Sequence, residues 1–91
     1  MKVDGALLVS NPNEAIGMAS TLESAGFDGL YTFEGQHDPF LPLAMASSST
    51  TRTELITAIA VAFARNPMIL ANLGYDLQLM SKGRFILGLD A

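Results

Sequence analysis

The run Leu55-Ile56-Thr57-Ala58-Ile59-Ala60-Val61-Ala62-Phe63 carries no charge and does not alternate between polar and apolar residues. A strand with one wet face alternates, whereas a strand covered on both faces, as in a parallel sheet, reads as a continuous apolar run. A buried parallel strand is therefore expected here, with a helix as the rival reading because alanine is frequent. Parallel strands need crossover connections, and the flanking sequence supplies them. Asn66-Pro67 sets a capping side chain before a proline suited to the first helical position. Ile69, Leu73, Leu77 and Met80 then give an apolar stripe, and Lys82-Gly83 give a stop. Asn11-Pro12 carries the same start signal, with Glu14 placed to reach back to the cap. Ala15, Met18, Ala19 and Leu22 follow at helical spacing, and Gly26 can end that helix in the left-handed conformation.

Three further short runs read as strands: Val3 to Val9, Gly29 to Phe33, and Phe85 to Leu89. Pro42 can open a short helix through Ala46, and the polar cluster from Ser47 to Thr51 closes it and forms a loop. The methionines Met18, Met45, Met68 and Met80 fall in helical segments and are expected to pack. Strand and helix thus alternate, which predicts an α/β fold: a parallel βαβαβαβ unit with right-handed connections. Residues 1–91 show no repeat and no boundary and are read as a single domain. The pattern fits half of a (β/α)8 TIM barrel or a small open sheet. A closed barrel takes about 250 residues, so the 91 residues of this chain do not close one. At 49% hydrophobic and 15% charged, the chain is apolar for a free-standing domain of its size, where much surface stays wet. Either the chain assembles with a partner, in the simplest case as a homo-oligomer, or it is part of a larger core.

Charge removes several function classes. The net charge is −4 and the five basic residues are scattered, so neither a nucleic-acid footprint nor an anionic membrane surface is expected as partner. With no cysteine, disulfides and thiolate metal sites are excluded. Met1-Lys2-Val3-Asp4 does not open a secretory leader, and no apolar run is long enough to span a bilayer, so a soluble cytoplasmic protein is expected. Ser10-Asn11-Pro12-Asn13 after the first strand lacks the GxGxxG pattern of a nucleotide-binding turn.

One stretch concentrates chemistry: Phe33-Glu34-Gly35-Gln36-His37-Asp38-Pro39-Phe40-Leu41-Pro42-Leu43. It holds the only histidine in the chain, between two carboxylates. In a parallel α/β sheet, ligands sit outside the carboxyl ends of the strands, and this stretch follows the second strand there. A histidine at that end can donate a hydrogen bond to a ring carbonyl or move a proton near neutral pH. The plainer reading is a loop in which Asp38 caps a turn ahead of Pro39 while His37 faces solvent. Glu34, His37 and Asp38 are possible metal ligands, but the cluster lacks a second histidine, so no metal site is expected. Arg65 can pair with a ligand's phosphate or carboxylate, but is expected rather to tether a loop to an acid such as Asp38 or Asp90. Arg84, at the start of the last strand, lies at the opposite end and reads as structural.

Several segments together resemble the bacterial luciferase-like monooxygenase family, and most closely its coenzyme F420-dependent oxidoreductase branch. They are Ala25-Gly26-Phe27-Asp28-Gly29-Leu30, Glu34, His37-Asp38-Pro39-Phe40-Leu41-Pro42, Arg65-Asn66-Pro67 and Ser81-Lys82-Gly83-Arg84-Phe85-Ile86-Leu87-Gly88-Leu89. The resemblance runs over nearly the whole chain in the family's order. It implies a (β/α)8 barrel with a deazaflavin, or alternatively FMN, at the C-terminal ends of the strands. Hydride transfer or monooxygenation on a small-molecule substrate follows from it. It also implies Glu34 and His37 as candidate catalytic residues. A non-proline cis peptide behind the ring is implied within the third strand, at Ala58-Ile59 or Ala60-Val61. Ala58, Ile59, Ala60 and Val61 thereby become candidate cofactor-binding residues, with Asp90 beside them. Asp90 stands where the family usually continues with glycine.

Overall fold

Alternation of strand and helix is what the chain adopts. The computed structural model describes residues 1–62 and 65–90. The elements are β1 (Asp4–Ala6), α1 (Ala15–Ser24), β2 (Gly29–Thr32), α2 (Phe40–Ser47), β3 (Glu54–Val61), α3 (Pro67–Ser81) and β4 (Phe85–Asp90). The four strands form one parallel sheet in chain order. The anticipated start signals work as drawn: Asn11 and Glu14 close a capping box around a 3-10 turn at Pro12–Glu14. Asn66 accepts from the N–H groups of Met68 and Ile69 ahead of Pro67. Helix α2 begins at Phe40, two residues before the anticipated Pro42. The third strand stops at Val61; Phe63, to which it was expected to run, lies outside the described residues.

Register explains the core. Gly5, Leu30, Leu55 and Phe85 stand abreast across the four strands, and their shared face is the one the helices cover. Leu30, Leu55, Phe40, Leu43, Leu77 and Phe85 are buried there. Ala15, Ala19 and Ala46 are fully buried as well, small enough to bring helices close. The rings of Phe40 and Phe85 meet at 6.3 Å and 51°, a tilted geometry suited to aromatic pairs.

Three expectations are corrected. The apolar run in β3 is not covered on both faces: Leu55, Thr57 and Ala60 are buried, while Ile59 is 48% exposed. The opposite row, Ala6, Tyr31, Ile56 and Ile86, has no layer of this chain against it, so apolar sequence there meets no partner within the described residues. The stripe on α3 is also rotated. Leu70, Leu77 and Ser81 are buried and Leu73 packs on the core, whereas Ile69 and Met80 are exposed. Of the four methionines in helical segments, only Met45 packs against the core, and Met18, Met68 and Met80 face outward.

Between Thr57 and Ala60 the β3–β4 register shifts. The Thr57 hydroxyl spans that irregularity, donating to Gly88 O at 3.0 Å and accepting from Gly88 N at 2.9 Å. A Cβ on Gly88 would stand 2.2 Å from Thr57 O, so this close approach requires glycine.

The N-terminal end of the sheet is pinned by side chains. Arg84 donates to the carbonyls of Thr53, Ser47, Thr50 and Ser81 and to the Thr50 hydroxyl, in line with its expected structural role. Glu23, at the end of α1, accepts from the N–H groups of Thr51, Arg52 and Thr53 and from the Thr53 hydroxyl. Burial pushes its carboxyl up, but those donors outweigh burial and bring it down to about 2. A carboxyl lowered from 4.5 stabilises the fold fully above that ordinary value, and the contribution is lost as pH falls towards 2. Glu23→Gln is expected to cost about 1–2 kcal/mol at neutral pH and to flatten the stability loss between pH 4.5 and 2. Urea melts across that range check both effects.

Candidate functional site

The site is built at the C-terminal end of the sheet, where β2 hands over to α2. Thr32, the last residue of β2, is buried and donates through its hydroxyl to Pro39 O at 2.6 Å. Asp38 accepts from the N–H groups of Phe40 and Leu41, each at 2.7 Å. These orphan donors of the first turn of α2 explain the early helix start: a carboxylate satisfies them before Pro42 is reached. The plainer reading of Asp38 as a cap is thus realised.

Glu34 ties the same loop to the neighbouring strand. Its N–H donates to Ile59 O at 3.1 Å, and its Oε1 accepts from Val61 N at 2.9 Å. Arg65 closes the arrangement. Its Nη1 donates to Glu34 Oε1 at 2.5 Å and to Val61 O at 2.7 Å, and its Nη2 donates to Glu34 Oε2 at 3.1 Å. The guanidinium lies 5.0 Å from the Phe40 ring centroid, and its Nη2 stands 3.6 Å from Asp38 Oδ1. The bidentate geometry is the strong form of this pair. The Arg65 hydrogen bond, opposed by burial and joined by the Val61 N–H, holds the Glu34 carboxyl below the usual carboxylate range. In return, the Glu34 hydrogen bond raises the Arg65 guanidinium despite burial.

The remaining sequence-derived residues divide. His37 is exposed and lines a depression of about 90 Å3 with Leu7, Val9, Thr32, Phe33 and Asp38. The Ala58–Ile59 peptide is cis, at one of the two positions anticipated. Ala58 and Ile59 are exposed, Val61 is half-buried, and Ala60 is fully buried in the core. Asp90 stands abreast of Val61 at the end of β4 and is exposed. Glu34, Asp38, Val61 and Arg65 are therefore brought together, while His37 lies towards the end of β1. Arg65 pairs chiefly with Glu34 rather than with Asp38 or Asp90 alone. The signal was present: Glu34 follows the end of β2 by two residues and Arg65 follows that of β3 by four, so both sit at one end of adjacent parallel strands. Among the described residues, no three His, Asp or Glu side chains gather as a metal site.

A parallel sheet with helices on one face and a polar loop at the strand ends defines a partial α/β barrel unit with its candidate site on the ligand face. The luciferase-like monooxygenase family matches residues 1–89, and the chain belongs to that family. It is 58% identical over 92 residues to an uncharacterised protein of Mycobacterium tuberculosis, covering 98% of this chain and 26% of that protein. It is 38% identical over 79 residues to another M. tuberculosis protein provisionally named coenzyme F420-dependent oxidoreductase, covering 86% and 23% of the two. The chain thus spans about a quarter of the length of these relatives. Among solved structures, the coenzyme F420-dependent tetrahydromethanopterin reductase of Methanopyrus kandleri superposes with a TM-score of 0.81 at 21% identity, over 98% of this chain and 26% of that one. The oxygenating constituent of 3,6-diketocamphane monooxygenase of Pseudomonas putida, in complex with FMN, gives 0.86 at 19% identity, over 100% and 29%. These likenesses establish the shared fold. No helix among the described residues is long and apolar enough to cross a membrane.

Replacing Asp38 by alanine frees the two N–H groups at the start of α2 and is expected to cost about 1 kcal/mol. Asp38→Asn, which keeps an acceptor, is expected to restore most of it. Chemical denaturation of the three proteins checks this, and equal stability of all three would remove Asp38 from the cap.

Proposed function

We propose that this chain forms one wall of the cofactor face of a flavin- or deazaflavin-dependent oxidoreductase acting on a small-molecule substrate in the cytoplasm. Coenzyme F420 is the preferred cofactor and FMN the alternative. The observation that carries the reading is the convergence of the 33–38 loop and the irregular end of β3 on the C-terminal side of a parallel sheet, the side where such folds bind ligands. The family membership and the names of its relatives favour the same cofactors.

The residues fit part of such a group rather than all of it. Ligand pockets run to about 300–1,000 Å3, whereas the depression beside His37 is about 90 Å3, enough for one edge of a ring. The exposed Ala58–Ile59 segment supplies a flat apolar wall against which a ring can lie, and Asp90 marks that wall's far edge. When bound, the cofactor supplies hydride transfer or oxygen activation. The chain's own part is binding, orientation and the proton. His37, exposed at the depression, is the group that can exchange a proton or donate to a ring carbonyl. The lowered Glu34 carboxyl keeps its charge and its partners, so its part in the reaction is indirect.

Titration of the full gene product with oxidised coenzyme F420 and with FMN, followed by absorbance and fluorescence, tests this. Saturable binding of one of them is expected. His37→Ala should weaken it about three- to tenfold, as loss of one hydrogen bond does. Binding of neither cofactor, by any assembled form, would sink the reading.

A second reading, favoured by the bare surfaces, is a non-catalytic unit that self-associates. Among the described residues the outer edge of β4 is unpaired, and Ile86, Leu87 and Leu89 are exposed along it. Ile69, Tyr75 and Leu79 are exposed on α3. Open strand edges and contiguous apolar surface call for a covering partner. The 91-residue chain is expected to elute larger than a monomer and to bind a hydrophobe-sensing dye. A monodisperse monomer without dye binding contradicts self-association.

A further inference from the structure

We infer that Glu34 and Arg65 are positioning residues which fasten the His37 loop to the end of β3, so that the two walls of the ring site are set by one ion pair. The inference deepens the cofactor reading and rests on it. It also moves Glu34 out of direct proton transfer and assigns Arg65 a partner within the protein in place of a ligand's anionic group.

Three sets of contacts carry the inference. Glu34 is bonded to β3 through both its backbone and its side chain, by its N–H to Ile59 O at 3.1 Å and its Oε1 to Val61 N at 2.9 Å. Arg65 binds the same two elements, through both Glu34 oxygens and through Val61 O. The guanidinium also stacks on Phe40, and its Nη2 faces Asp38 at 3.6 Å. It therefore contacts the residues that begin α2 just after His37. Its side chain is 18% exposed, with little of it free to reach a ligand. An ion pair this well enclosed by further donors and acceptors fixes geometry, and removing one partner leaves the other uncompensated. Among the described residues His37 has no such tether, so its placement follows from the residues on either side of it.

The test uses the full gene product, with Glu34→Gln, Arg65→Gln and the double variant, each first matched to the wild type by far-UV circular dichroism. Without ligand, amide hydrogen exchange at Glu34 and Val61 is expected to accelerate together, at least tenfold, in either single variant. With oxidised coenzyme F420 or FMN as probe, each single variant should weaken binding about tenfold and diminish the circular dichroism induced in the ring. The double variant should be no worse than the singles, because one unit is lost once. Unchanged exchange at both amides, or additive losses in the double variant, overturns the inference. A loss of binding confined to Arg65→Gln also overturns it, since that outcome means Arg65 touches the ligand directly. Wild-type protein that binds neither probe would sink the cofactor reading alone, and the exchange measurement would then decide the positioning role.

Discussion

The arrangement of this molecule's ligand face depends on one carboxylate. Glu34 leaves β2 and gives its oxygens to the last amide of β3 and to Arg65. Parallel strands are held along their length by the backbone ladder, but at their ends the chain must turn away and the ladder stops. There the side chains decide where each loop goes. Without Glu34, the Val61 N–H and two guanidinium donors would lose their acceptor in a partly buried place, which costs more than an exposed pair of the same kind. The loop that carries His37 and the end of β3 are consequently one unit rather than two neighbours.

The opposite end of the sheet is organised by the same physics with other residues. Glu23 gathers the three N–H groups that lead into β3, and Arg84 gathers carbonyls from the end of α2, the loop after it and the end of α3. Both are charged groups satisfied largely by backbone. Each replaces the helix-end and loop partners that water would otherwise supply. The fold is pinned at both ends, with its helix-facing apolar row packed between them and its other row only partly covered. That row runs from half-buried Ala6, Tyr31 and Ile56 to exposed Ile86, and its incomplete cover is consistent with a chain whose composition is apolar for its size.

Much of this was legible beforehand. Periodicity and the two Asn-Pro signals located α1 and α3, and the lack of alternation in residues 55–61 pointed to a parallel sheet. The ligand face followed from the parallel sheet itself, since the 33–43 stretch comes after the second strand; the cis peptide, as one of two positions, came only from the family resemblance. What escaped had physical causes. An apolar run does not say whether its second face is covered by the same chain, so Ile59 was expected inside and is outside. In the α3 stripe Leu73 and Leu77 face the core as expected, but Ile69 and Leu70 are equally apolar, and only the packed structure shows that Leu70 is buried and that Ile69 and Met80 are exposed. Glu34 and Arg65 lie 31 residues apart, and their pairing becomes visible only once β2 and β3 are neighbours. Asp38, by contrast, acts on residues two and three positions away, which is why its capping role could be read locally.

The Glu34 carboxylate is held ionised by Arg65 and the Val61 amide. Carbon-13 NMR of the Glu34 side-chain carboxyl across an acid titration of the folded protein measures this directly. A midpoint below the ordinary value of 4.5, rising in the Arg65→Gln variant, is expected. A midpoint at the ordinary value, unmoved by that substitution, would contradict it.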